Sequence, residues 1–162
     1  MIGSVFVLAA LATVPADLPA GWHPLPAAAL EEQWRDASPV RFARLTADFN
    51  GDGHEDLAIL LRSSRSEALW VRLGDAVWQK LAELPDGAID NPSSMGVQQV
   101  DPGVVPYGCF DGADDCNVGP DAQRPKLVLT SPAIDFFRMG SSASAFFWSN
   151  SRGKFLRVWT SD

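Results

Sequence analysis

The stretch LAILLRSSRSEALWVRL, at residues 57–73, decides how this chain folds. The run LAILL at 57–61 is short, apolar and continuous, which is typical of a buried strand. The run ALWVRL at 68–73 is a second strand-like segment, and SSRS at 63–66 has the composition of a turn. Because strands joined by so short a connection pair antiparallel, the stretch predicts a hairpin.

Strand-like runs continue on both sides of this hairpin. A stretch that begins at Phe42 and Leu45 precedes it, and further runs follow at 77–84, 95–100, 126–130, 134–139, 144–148 and 154–159. Pro26 stands where a helix could begin, and Leu30 and Trp34 lie four residues apart on one helical face. We therefore expect a mainly β fold of about eight strands with one short N-terminal helix. Its antiparallel sheet would be partial-propeller-like or part of a sandwich.

The composition predicts one globular domain that binds rather than catalyses. Of the 162 residues, 46% are hydrophobic and 20% charged, and six Trp and nine Phe supply large rings for a core. The 13 Lys and Arg against 20 Asp and Glu give a net charge of −7. A chain this acidic has no positive field with which to hold a phosphate backbone, so no nucleic acid is expected as a partner.

The N-terminal segment MIGSVFVLAALATVPA, at residues 1–16, predicts a secretory signal. It is apolar and uncharged, with small residues at Val14 and Ala16 where a signal peptidase cleaves, although the usual positive n-region is missing. The alternative is a buried N-terminal strand or helix. Since the run is shorter than the ~20 residues that a bilayer requires, no transmembrane segment is expected, and residues 17–162 form the predicted periplasmic or secreted domain.

The two cysteines are predicted to form a disulfide in this exported chain. Cys109 and Cys116 enclose the short loop CFDGADDC, within a Pro- and Gly-rich excursion at 85–125. The alternative is a pair of reduced thiols in a cytosolic chain. The enclosed acidic cluster of Asp111, Asp114 and Asp115 is either a solvated turn or a site for a second cation or a basic partner.

The segment DFNGDGHED, at residues 48–56, has the spacing of a calcium loop. Oxygen-bearing side chains occupy positions one, three, five and nine, and glycine occupies position six, where it permits a sharp bend. The expected cofactor is Ca²⁺, held by the backbone carbonyl of His54 and by the side chains of Asp48, Asn50, Asp52 and Asp56. The alternative is a solvated acidic turn that binds no ion.

The sequence around this loop favours one class of calcium site over another. An EF-hand requires a bidentate Glu at position twelve, which is Ile59 here, inside a strand-like run. The segment instead resembles the D-x-[DN]-x-D-G-x-x-D-L loop of FG-GAP and VCBS-type repeats, matching at Asp48, Asn50, Asp52, Gly53, Asp56 and Leu57. The chain carries one copy, so a many-bladed propeller is not implied. The resemblance implies an ion that orders a turn between two strands and stabilises the domain.

The sequence offers little material for catalysis, and no enzyme is predicted. It contains no G-x-S-x-G, H-E-x-x-H or Gly-rich phosphate loop, and His23 and His54 lie in a proline-rich leader and in the calcium loop. A carboxylate hydrolase would have to use residues such as Asp90, Asp101 or Asp135, whose spacing singles out none of them.

The organisation of the whole chain suggests a wider resemblance. A single calcium loop in an exported β-rich chain that ends SAFFWSNSRGKFLRVWTSD, at 144–162, resembles periplasmic immunity proteins of Xanthomonas-type bacteria. That group is related in fold to inhibitors of invertebrate-type lysozymes. The resemblance implies an inhibitor that blocks the cleft of a peptidoglycan hydrolase with a protruding loop. The candidate loop, otherwise an ordinary turn, is the polar hairpin tip of Gly140, Ser141, Ser142, Ala143 and Ser144.

Two roles remain open for the predicted binding protein. The first is the inhibitor or immunity protein, for which an acidic net charge suits a basic lytic enzyme as the protein partner. The second is an FG-GAP- or VCBS-like envelope module for adhesion, which binds a glycan or another protein.

Overall fold

The computed structural model describes residues 14–84, 87–108 and 126–161. These residues form antiparallel sheets and two 3-10 turns, so the predicted mainly β fold is confirmed. The strands are His23–Pro24 (β1), Arg44–Ala47 (β2), Asp56–Arg62 (β3), Glu67–Arg72 (β4), Gln79–Glu83 (β5), Met95–Val100 (β6), Gly103–Pro106 (β7), Lys126–Leu129 (β8), Ala133–Arg138 (β9), Ala143–Ser149 (β10) and Lys154–Ser161 (β11).

The predicted hairpin at 57–73 is the centre of a five-stranded sheet. β3 pairs antiparallel with β4, placing Leu60 opposite Leu69, and β4 pairs with β5. On its other side β3 pairs with β1 near one end and with β2 near the other. The run at 57–61 within β3 is continuously apolar because both faces of the strand are buried there, as Leu60 and Leu61 show.

A four-stranded sheet has the order β11-β10-β9-β6, and a two-stranded sheet pairs β7 with β8. The N–H of Val97 in β6 donates to the carbonyl of Phe42, 2.8 Å away, next to the start of β2. This bond joins the four-stranded sheet to the five-stranded one.

Two apolar clusters account for the burial of β10. The first cluster contains residues of the two larger sheets, among them Leu60, Leu69, Phe136 and Phe146. The second cluster contains Phe147 of β10 and Leu127 of β8. Since successive side chains of a strand point to opposite faces, Phe146 and Phe147 enter different clusters. The continuous apolar run at 145–148 therefore reflects a strand that is covered on both sides.

The single short helix expected from Pro26 onward is instead two 3-10 turns, Ala27–Leu30 and Gln33–Ala37. Between them the backbone of Glu32 is extended, with φ −60° and ψ 133°, which interrupts any helix. The second turn is fixed by Arg35, whose buried guanidinium donates to the carbonyls of Arg41, Ser93 and Met95. Within the described ranges no helix is long and apolar enough to cross a membrane.

Several sequence predictions lie outside the described residues. They concern residues 1–13 of the predicted signal, the cysteine pair Cys109 and Cys116, and the acidic cluster of Asp111, Asp114 and Asp115.

Gly96→Ala is expected to lower the free energy of unfolding by about 2–3 kcal/mol, because the core at this position has no room for a methyl group. Gly96 lies opposite Phe137 in the β6–β9 pair, and a Cβ atom on Gly96 would lie 2.3 Å from Cζ of that ring. The Phe137 ring is held by Trp34 and Phe42, each at 5.8 Å between ring centroids, so it has little freedom to move away.

Urea unfolding measures this effect, with Gly108→Ala as the matched control. A Cβ atom on Gly108 would meet no described atom within 4 Å. A Gly96→Ala variant as stable as the Gly108→Ala variant would show that the ring yields at little cost.

Candidate functional site

The five residues predicted to hold calcium lie together in one loop. Residues 48–55 join β2 to β3, and Ala47 pairs with Asp56 where the two strands meet. The antiparallel pairing of these strands therefore brings the beginning and the end of the motif to the same place. Their proximity follows from their nearness in the sequence.

Asp48 organises the loop through its carboxylate. Oδ1 accepts hydrogen bonds from the N–H groups of Gly51 and Asp52, at 2.7 and 3.0 Å, and Oδ2 accepts one from Gly53 at 2.8 Å. Gly51 and Gly53 have φ of 75° and 86°, in the left-handed region that favours glycine. The loop thus wraps its backbone donors around the first acidic residue.

Asn50 and Asp52 hold each other on the exposed side of the loop. Asn50 Nδ2 donates to Asp52 Oδ2 at 2.9 Å, and the N–H of His54 donates to Asp52 Oδ1 at 2.8 Å. The hydrogen bond from the Asn50 side chain, followed by that from the His54 backbone, lowers the pKa of Asp52. Asp52 is therefore a carboxylate that stays ionised in moderately acidic solution.

Asp56 connects the loop to a second turn of the same sheet. Asp56 is 1% exposed, and its carboxylate accepts hydrogen bonds from the N–H of Phe49 at 2.8 Å and from the N–H of Gly74 at 2.9 Å. Gly74 follows β4, so the bond ties two neighbouring turns together. Burial raises the pKa of Asp56, although the bonds from Phe49 and Gly74 act in the opposite direction.

The oxygen atoms of the five predicted ligands are of the type that calcium binds. In the structure, however, the side-chain oxygens accept hydrogen bonds within the loop. Every predicted ligand atom is an oxygen, as a hard divalent cation requires. A carboxylate offers about four acceptor positions, so Asp48 and Asp52 keep capacity beyond the N–H bonds they accept. Among the residues that the structure describes, no three His, Cys, Asp or Glu side chains are grouped as a metal site.

A cleft of about 510 Å³ borders the loop and contains residues that the sequence analysis missed. Asp52, His54 and Glu55 line one side, and the turn at 72–75 lines the other. Arg72 and Asp75 come near the loop only because β3 and β4 pair in this register. The spacing of charges along the sequence carries no signal for such a contact.

The predicted partner-binding loop divides into an exposed tip and a buried residue. Gly140, Ser141 and Ser142 form the turn between β9 and β10, closed by bonds from Ser141 N–H to the Arg138 carbonyl and from Arg138 N–H to the Ser142 carbonyl. Ser144 lies inside β10, is 1% exposed, and accepts a hydrogen bond from Arg157 Nη2 at 2.8 Å. The surface available at the tip is therefore residues 139–142.

A polar network lies beneath this tip. Arg138 Nη1 donates to Asp90 Oδ2 at 2.8 Å and to Ser94 Oγ at 3.1 Å, and the Asp90 carbonyl accepts from Arg62 Nη2 at 3.0 Å. Arg62 in turn pairs with the buried Glu67. The network fixes the end of β9, and sequence reasoning missed it because its members are far apart in the chain.

The three carboxylates considered for hydrolysis do not converge as a set. Asp90 and Asp101 lie beyond opposite ends of β6, a strand that spans about 20 Å. Asp135 lies within β9, where its carboxylate accepts a hydrogen bond from Gln98 at 2.8 Å and burial raises its pKa.

Comparison of the chain with protein-family models, with curated proteins and with solved structures gives no match. A function for the protein therefore has to come from its own residues, chiefly the loop at 48–56 and the tip at 139–142.

Proposed function

We propose that this protein is a calcium-stabilised, exported binding protein that inhibits a peptidoglycan-degrading enzyme in the periplasm. The observation that supports calcium binding most directly is the sequence at 48–56, where four oxygen-bearing side chains alternate along the loop that joins β2 to β3. Asp48, Asn50, Asp52 and Asp56 would hold the ion with the His54 carbonyl. When bound, calcium would supply positive charge that offsets the repulsion among the three carboxylates.

Adding calcium is expected to raise the melting temperature, because an ion that binds only the folded loop stabilises the fold. At a free concentration one hundred times Kd, the gain is about 2.7 kcal/mol. Differential scanning calorimetry in calcium and in excess chelator measures the change, and titration calorimetry measures the affinity.

Asp52→Ala should abolish the calcium response while preserving the hydrogen bonds of Asp48 and Asp56 to the backbone. Asp75→Ala is the matched control, since it removes a carboxylate from the neighbouring turn that is not a predicted ligand. Identical melting curves in calcium and in chelator, with no heat of binding, would refute calcium binding.

The tip at 139–142 is the surface proposed to contact the enzyme. Its backbone is closed by two hydrogen bonds and rests on β9 and β10, whose Phe136 and Phe146 are buried in the core. A turn that is already ordered loses little conformational entropy on binding. The small side chains of Gly140, Ser141 and Ser142 suit insertion into a substrate cleft, and the net charge of −7 favours approach to a basic enzyme.

The double substitution Ser141→Arg and Ser142→Arg is expected to abolish inhibition, because two long cations would prevent the tip from entering a cleft. The assay measures solubilisation of purified peptidoglycan by chicken-, goose- and invertebrate-type lysozymes, with and without this protein in calcium. Ser64→Arg, in the exposed β3–β4 turn, is the matched control. Inhibition retained by the double variant would assign the contact to another surface, and failure to slow any of the three enzymes would count against the inhibitor role.

A second role is an envelope module that binds glycan. An uncharged cleft beside β8 and β10, lined in part by Trp148, favours this role.

A further inference from the structure

A cleft of about 290 Å³ lies between the end of β8 and the turn that joins β10 to β11. Its lining comes from residues 128–131 and 147–151, and none of these described lining residues is an acid or a base. This volume is close to the lower limit of roughly 300–1,000 Å³ that small-molecule pockets occupy. The cleft therefore suits one small, uncharged ring rather than a charged group or a long ligand.

The lining combines aromatic surface with groups that both donate and accept hydrogen bonds. Trp148 is half-buried and is held by an edge-on contact with Phe155, at 5.4 Å between ring centroids. Thr130, Ser131 and Asn150 add two hydroxyls and an amide. A pyranose ring has the complementary surface, since its C–H faces are apolar and its hydroxyls donate and accept.

We propose that this cleft binds one uncharged sugar ring of a glycan. The proposal deepens the second role above, on which it rests for the class of ligand, and it does not require calcium. One wall is nevertheless anchored to the loop at 48–56, because Ser131 Oγ donates to the Phe49 carbonyl at 2.8 Å. Phe49 in turn contacts Phe155, at 6.4 Å between ring centroids. The cleft is thus built on residues that the core already holds in place.

Saturation-transfer NMR tests the proposal with the methyl glycosides of glucose, galactose, mannose and N-acetylglucosamine, and with glucuronic acid as a charged comparison. We expect transfer to at least one neutral glycoside and none to glucuronic acid. Thr130→Arg, which would fill the cleft, and Asn150→Ala, which removes its amide, should each weaken binding about ten-fold or more. Trp78→Phe, outside the cleft, is the matched control and should bind as the parent does.

Absence of transfer to all four neutral glycosides would overturn the proposal. The proposal would also be overturned if Thr130→Arg bound the sugar as well as the parent does, or if transfer to glucuronic acid equalled transfer to the neutral glycosides. Melting curves of each variant show that the fold is retained. Repeating the saturation-transfer measurements in calcium and in chelator separates this proposal from calcium binding. Sugar binding that persists in chelator supports the proposed sugar site, whether or not the loop at 48–56 binds calcium.

Discussion

Glu67→Ala is expected to lower the free energy of unfolding by about 3–5 kcal/mol, because it leaves buried partners without their counter-charge. The Glu67 side chain is 1% exposed. Its Oε2 accepts from Arg62 Nη2 and its Oε1 from Ser93 Oγ, each at 2.6 Å. Both partners would lose a charge-assisted hydrogen bond in a region with little water to replace it.

The effect extends to Arg35, which has no accessible surface. Burial lowers the pKa of Arg35, and the charge of Glu67 is the largest opposing influence. Arg35 holds the second 3-10 turn to the start of β6 by donating to the carbonyls of Ser93, just before the strand, and of Met95, its first residue. Removing the carboxylate therefore weakens the electrostatic support of a second buried cation, which favours the upper part of the expected range.

Urea unfolding at neutral pH measures this loss, with Glu83→Ala as the control. Glu83, on β5, lies opposite Ala68 of β4, and its side chain is 35% exposed. Its carboxylate accepts hydrogen bonds from Lys80 Nζ and from Ser66 Oγ. An exposed pair of this kind contributes less than about 1 kcal/mol. Glu67→Gln keeps an acceptor for Ser93 without the charge, so it should fall between the two. Equal stability of the two alanine variants would show that water or other groups replace Glu67.

The sequence predicted the strands best where burial alone determines the pattern. The run at 57–61 corresponds to β3 because continuous apolar residues favour burial wherever the partner strands lie. β1 and β7 were missed because His23–Pro24 and Gly103–Pro106 are only two and four residues long and each ends in proline, which sequence patterns associate with loops. They are strands through pairing with β3 and β8, which depends on distant residues.

Some contacts of the candidate site are set by neighbouring residues in the sequence, and others are set by tertiary structure. The hydrogen bonds within 48–54 follow from acidic residues spaced around two glycines, so the loop could be predicted. The bond from Gly74 to Asp56 and the bond from Ser131 to Phe49 depend on tertiary structure, as does the burial of Ser144 beside Arg157. From the sequence alone, a polar residue in an apolar run does not show whether it has a hydrogen-bond partner in the protein interior.

Phe49→Ala is expected to lower the free energy of unfolding by about 3–5 kcal/mol, because it empties a filled position in the core. Phe49 has no accessible surface and belongs to the main apolar cluster, where its ring contacts Phe155 edge-on. It is also the second residue of the predicted calcium motif, so its ring anchors the loop that its polar neighbours form. Denaturation in chelator isolates this packing contribution from any effect of an ion.

Phe49→Leu and Glu55→Ala distinguish anchoring by the ring from a general sensitivity of the loop. Leucine keeps most of the buried apolar surface and should cost less than alanine, whereas Glu55 is exposed and its removal should change little. The backbone bonds of Phe49 to Asp56 and Ser131 can form with any side chain at position 49. If Phe49→Ala were no less stable than Glu55→Ala, those backbone bonds would suffice to hold the loop. A large loss confined to the Phe49 variants would instead show that the core fixes the loop before any ligand binds.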